Sequence, residues 1–208
     1  MTKNKFDQTL LVEGADDQHV IWALCQKFDV LHNFDVKDCK GIDNLFLQIP
    51  IILKTSGLKT LGVIIDADSD LNKRWNELKS IFLKSNISIP DILPAEGLIL
   101  TNSQVKIGVW LMPDNNSQGM IEDFIKFLIP ADDNLVGEAK DILHKLEENQ
   151  LQKYKPIHSA KALVHTWLAW QEDPGTPLGL AITKKYLTTN NVAICNKFMD
   201  WLVALFIQ

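Results

Sequence analysis

The chain is poor in arginine: among 21 lysines and arginines, Arg74 is the only arginine. Arginine supplies most bidentate contacts to guanine edges and phosphates, so a dedicated sequence-reading DNA binder is disfavoured. Cysteine is also scarce, with Cys25, Cys39 and Cys195 far apart and in no C-x-x-C pair. That spacing argues against structural zinc and a disulfide framework, and for three buried thiols in a reducing compartment. No apolar run approaches the ~18–20 residues of a membrane span. The opening MTKNKFDQ leads into only a short apolar stretch without a small-residue cleavage site, so no signal peptide, no membrane partner and a cytoplasmic location are expected. Repeats, low-complexity tracts and flexible linkers are missing as well. What remains is 208 residues, 46% hydrophobic and 23% charged, with a net charge of −5. That is material for one sizeable soluble core.

The order of segments predicts an α/β fold. Residues 8–12 (QTLLV) form a short apolar run that stops at Glu13-Gly14. Residues 16–28 then carry Val20, Ile21, Leu24, Cys25 and Phe28 at helical spacing behind an acidic start. A strand is expected at 34–36, a helix interrupted by Pro50 at 42–53, and a strand at 61–65. A helix capped near Asp70 follows, with Leu71, Trp75, Leu78 and Phe82 on one face. Strand and helix in alternation imply a mostly parallel sheet flanked by helices. Two more strands are expected at 97–100 and 105–111, with a turn at 101–103. Beyond the segment 112–116 the pattern is helical, at 118–129, 134–146, 160–170, 180–187 and 193–206. The expected division is an α/β part, 1–130, and a helical part, 131–208, packed on the sheet, with Trp167, Trp170 and Trp201 filling the helical core.

The chemistry concentrates in acids at strand ends. Glu13 closes the first strand, and TLGVIIDADSD places Asp66, Asp68 and Asp70 directly after the third. In an open parallel sheet, ligands bind at the carboxyl ends of the strands. Carboxylates converging there repel unless a divalent ion neutralises them, and an all-oxygen site suits Mg²⁺ or Mn²⁺. The plainer alternative is that Asp and Asn form local turns at such transitions, and that Asp70 caps the next helix.

The combination LVEGADD followed some fifty residues later by apolar-D-A-D resembles the Toprim domain of topoisomerases, bacterial primases and several nucleases. The match covers about residues 7–130. Glu13-Gly14-x-x-Asp17 is similar to the OLD-type branch, and the later GMIED and tryptophan-rich segments resemble short stand-alone bacterial Toprim proteins of unknown function. The resemblance implies metal binding by Glu13, Asp17, Asp66 and Asp68, with Glu13 also a candidate general acid or base. It further implies a metal ligand from a later strand end, for which Glu122 is the candidate, ahead of Asp114 and Asp123; acids at a helix N-terminus are also simply stabilising there. A lysine from the C-terminal part is implied as a transition-state cation, and Lys161 fits, although surface lysines are commonplace. Gly14 is expected to keep the crevice open at the strand end. His158 and His165 have no evident metal partner.

Two other strand-end aspartate folds fit less well. Haloacid-dehalogenase-like phosphatases carry D-x-D after the first strand, and receiver domains are shorter and give Glu13-Gly14 no role. The leading expectation is divalent-metal-dependent phosphodiester chemistry on nucleic acid, without sequence specificity. The alternative is a non-catalytic module that binds metal, a nucleotide or a protein partner such as an ATPase. The acidic charge, the single arginine and the lack of a motif around Tyr154 or Tyr186 favour the alternative.

Overall fold

The computed structural model describes residues 7–30, 33–101 and 105–207. Three β-α pairs open the chain: β1 (Gln8–Val12), α1 (Ala15–Lys27), β2 (Asp35–Asp38), α2 (Ile42–Leu53), β3 (Thr60–Asp66) and α3 (Leu71–Lys84). Next come β4 (Leu98–Thr101) and β5 (Lys106–Met112), then α4 (Ile121–Lys126) and α5 (Asn134–Glu148). A 3-10 turn (Pro156–His158) leads into α6 (Ser159–Ala169), followed by α7 (Leu178–Thr183) and α8 (Ala193–Phe206). The sheet runs β2-β1-β3-β5-β4, parallel throughout except for the β4–β5 pair. The expected α/β class and mostly parallel sheet are therefore observed. The expected turn at 101–103 lies largely outside the described residues.

Strand periodicity builds two cores. Leu61, Val63 and Ile65 of β3 and Ile107, Val109 and Leu111 of β5 face one way, onto α2 and α3. Ile64, Trp110 and Met112 face the other way, onto α1, α4, α6, α7 and α8. Helix α2 runs through Pro50 instead of stopping there. The proline sits near the helix end and removes a single i→i−4 bond, while Leu45, Ile49 and Ile52 hold the helix on the sheet.

The C-terminal helices pack tightly on this frame. Gly62 and Gly108 are register partners in β3 and β5, and a Cβ on Gly108 would lie 2.3 Å from Leu205 Cδ2. Helix α8 thus seats its Leu205 in a groove that two paired glycines leave open. Helix α7 approaches α1 as closely, since a Cβ on Gly179 would lie 2.5 Å from the His19 carbonyl oxygen. Trp167 and Trp201 are buried, donating to Asp133 Oδ2 and the Leu98 carbonyl, whereas Trp170 is more than a third exposed and does not join the core. The three cysteines are buried and free. Among the described residues no helix is long and apolar enough to cross a membrane.

Candidate metal centre

Between β1 and β3 the direction of strand addition reverses, because α1 leads outward to β2 and α2 leads back across to β3. Such a switch point leaves a crevice at the strand C-termini. Glu13, just past β1, and Asp66, the last residue of the adjacent β3, stand there, and Glu13 Oε1 accepts the Asp66 backbone N–H at 2.8 Å. Helix α1 starts immediately after, with Asp17 Oδ2 accepting the Gly14 N–H at 3.1 Å and closing the helix start. From the opposite side α4 brings Glu122, only 1% exposed. From α6 comes Lys161, whose Nζ lies 2.7 Å from Glu122 Oε1. Glu13, Asp17, Asp66, Glu122 and Lys161 line one open cleft of about 560 Å³, together with Asp38, Lys40 and His158.

The cleft is electrostatically frustrated. Burial, reinforced by the Glu13 and Glu122 charges, pushes Asp17 up to about 7 against the pull of its Gly14 hydrogen bond. Burial and then Asp17, Glu13 and Glu122 push Asp66 well above the usual carboxylate range. Glu13 is also raised, mainly by burial, with the Asp66 N–H and the Arg74 charge opposing. The Glu122 carboxylate holds Lys161 above its ordinary value. Protons or a cation relieve such a cluster.

The donor set fits a hard cation. Asp17 Oδ1 and Asp66 Oδ1 are buried and have no hydrogen-bond partner, so each carboxylate keeps free lone pairs, as Mg²⁺ or Mn²⁺ requires. As the side chains stand, no group of three or more His, Cys, Asp or Glu among the described residues has ready metal-binding geometry. The fit therefore lies in the orphaned oxygens and the charge, not in a preformed coordination shell.

The other sequence candidates go elsewhere. Asp70 caps α3 by accepting the Lys73 N–H at 2.9 Å. Asp114 folds its own loop, accepting from the Asn116 and Ser117 N–H groups. Asp123 closes the start of α4 on the Met120 N–H and pairs with Lys126. Asp68 does not line the cleft; it is ion-paired with Arg74. Gly14 has an extended backbone, and a Cβ there would meet only Asp17 Oδ2 at an ordinary 3.5 Å. The expectation that this position needs glycine to keep the crevice open is corrected accordingly.

Sequence reasoning missed Asp38, Lys40 and His158 as cleft residues. Asp38 ends β2, next to β1, and strand-end position was the signal that could have found it. His158 lies in the 3-10 turn before α6, and its Nδ1 is buried without a partner.

Fold and cleft together define an α/β protein with an acidic crevice at its switch point. The chain belongs to the family described as "Protein of unknown function (DUF3226)", whose profile matches residues 7–207. No curated protein matches it. Two solved structures of the C-terminal region of the Xanthomonas campestris pv. campestris OLD protein are similar to it, phased with mercury and with iodine. Each has 10% identity and a TM-score of 0.38, covering 94% of this chain and 86% or 85% of the other. At that level the likeness bears on neither activity nor site residues.

Proposed function

We propose that the cleft is a Toprim-type, OLD-like divalent-metal centre that carries out phosphodiester chemistry on nucleic acid. The observation that carries this reading is the pair of buried, unpartnered oxygens on Asp17 and Asp66, set beside Glu13 at the switch point. Glu13, Asp17, Asp66 and Glu122 would hold Mg²⁺ or Mn²⁺. When bound, the ion neutralises the carboxylates and polarises a phosphate oxygen. Glu13, whose carboxyl burial raises above its ordinary value, is placed to take up or give a proton at the cleft. Lys161, half exposed beside Glu122, brings positive charge to the mouth of the cleft, where a phosphate gathers charge during transfer.

One observation favours a second reading. The Lys161 ammonium is already paired with Glu122, so it does not stand as a free cation for a substrate. This supports a non-catalytic module that binds a metal, a nucleotide or a partner such as an ATPase. Incubation of plasmid and single-stranded DNA with Mn²⁺ separates the two. Cleavage by the wild type that is lost in Asp66→Asn and Glu13→Gln is expected; Mn²⁺ binding with no cleavage of either DNA leaves the second reading standing and overturns the first.

A further inference from the structure

The two aspartates of D-A-D part company in space. Asp66 lines the cleft, whereas Asp68 adopts a left-handed backbone, φ 52°. Asp68 is fixed there by a two-bond bridge to Gly119, N–H to carbonyl at 2.9 Å one way and 2.8 Å the other. Its carboxylate is bound by Arg74 Nη2. The guanidinium is itself held from three more directions: Nε donates to the Asp66 carbonyl at 3.2 Å, Nη1 to Glu77 Oε2 at 3.0 Å, and the Phe46 ring lies 5.7 Å beneath it. The side chain is only 14% exposed. Guanidinium does not lose its proton in proteins, so this positive charge is permanent and its fork is preorganised.

We propose that the cleft takes a single divalent cation, held by Glu13, Asp17, Asp66 and Glu122, and that Arg74 occupies Asp68 as a built-in second cation. The inference rests on the metal-centre reading and specifies its stoichiometry. Arg74 is a positioning residue: it neutralises Asp68, grips the Asp66 carbonyl and keeps the outer aspartate from ligating. A second ion would have to break an ion pair whose cationic half is largely buried and fourfold supported.

Mn²⁺ titration of the 208-residue chain, followed by electron paramagnetic resonance and calorimetry, tests this, with circular dichroism confirming folding of each variant. The expected result is one Mn²⁺ per wild-type chain, and one in Asp68→Asn at an affinity within about threefold, whereas Asp66→Asn weakens binding about tenfold or more. Arg74→Gln frees Asp68 and gains a second, weaker ion. Arg74→Lys keeps the charge without the fork and stays at one. Two ions on the wild type, or a tenfold loss in Asp68→Asn, overturns the single-ion assignment while leaving the metal centre intact. A wild type that binds no Mn²⁺ overturns the metal centre itself, and the stoichiometry with it.

Discussion

Glu13 Oε1 accepts the backbone N–H of Asp66 at 2.8 Å, so the last residue of β3 is tied to the residue that follows β1. One carboxylate oxygen is therefore structural and the other is left for the cleft. Replacing Glu13 by glutamine keeps an acceptor at that place and removes the charge; replacing it by alanine leaves a part-buried N–H without a partner. Glu13→Ala is expected to lose about 1–3 kcal/mol of stability in urea unfolding, and Glu13→Gln much less. Both variants are expected to weaken Mn²⁺ binding. Equal stability of the two variants would show that the bond does not hold the strand ends together.

Glu122 and Lys161 provide the second prediction. Glu122 is buried, whereas the Lys161 side chain is half exposed, so water screens the pair. Lys161→Met leaves the carboxylate with His165 Nε2, 4.0 Å away, as its nearest other basic group. The expected cost at pH 8 is about 1–2 kcal/mol, less than for a fully buried pair. Adding Glu122→Gln to Lys161→Met should recover most of it, because the uncompensated charge is then gone. Additive losses in the double variant would mean that the two side chains contribute independently.

What was legible in the sequence follows from how local each cause is. The sheet could be read because the short, unbroken apolar runs of β3 and β5 and helical spacing in α1 and α3 are local patterns. Glu13, Asp17 and Asp66 could be marked because strand-end position and an i, i+4 step are also local. The arrest of Asp68 could not, since it depends on the bridge to Gly119 and on Arg74 across a helix start. Nor could the Glu122–Lys161 pair be seen as a pair, because it joins two helices far apart in the chain. The short α4 was overestimated at both ends: Gly119 has φ 141° before its start, and its apolar residues continue beyond its end into a loop.

The pH dependence of stability has a definite sign. Asp17 is raised to about 7 in the folded protein, and Asp66 is raised as well, each by burial first and then by neighbouring carboxylates. A raised carboxyl binds more protons folded than unfolded, so the stability it contributes is complete below its unfolded pKa, near 4, and is lost as pH rises through about 7. Metal-free protein is therefore expected to be less stable at pH 8 than at pH 5, with a Tm lower by about 5 °C or more. Asp17→Asn should flatten that slope, and Mn²⁺ should restore stability of the wild type at pH 8 by neutralising Glu13, Asp17, Asp66 and Glu122 together. Differential scanning calorimetry of wild type and Asp17→Asn between pH 5 and 8 measures this. An identical slope in the two proteins would remove Asp17 as the source.

The seat of α8 gives the last prediction. Gly108 faces Leu205 at a distance that leaves no room for a methyl group, and Gly62 beside it would set a Cβ 2.8 Å from the Phe206 ring. Gly108→Ala must push Leu205 off the sheet, and overpacking of this kind costs about 1–3 kcal/mol. A small gain from restricting the unfolded chain offsets part of that. Leu205→Ala alone opens a cavity and costs about 2–5 kcal/mol. In the double variant the new methyl group occupies space that Leu205 vacated, so its loss should fall short of the sum by about 1 kcal/mol or more. Urea unfolding of the four proteins measures the coupling. Strict additivity would mean that Leu205 does not occupy the space above Gly108, and that α8 seats on the sheet by other contacts.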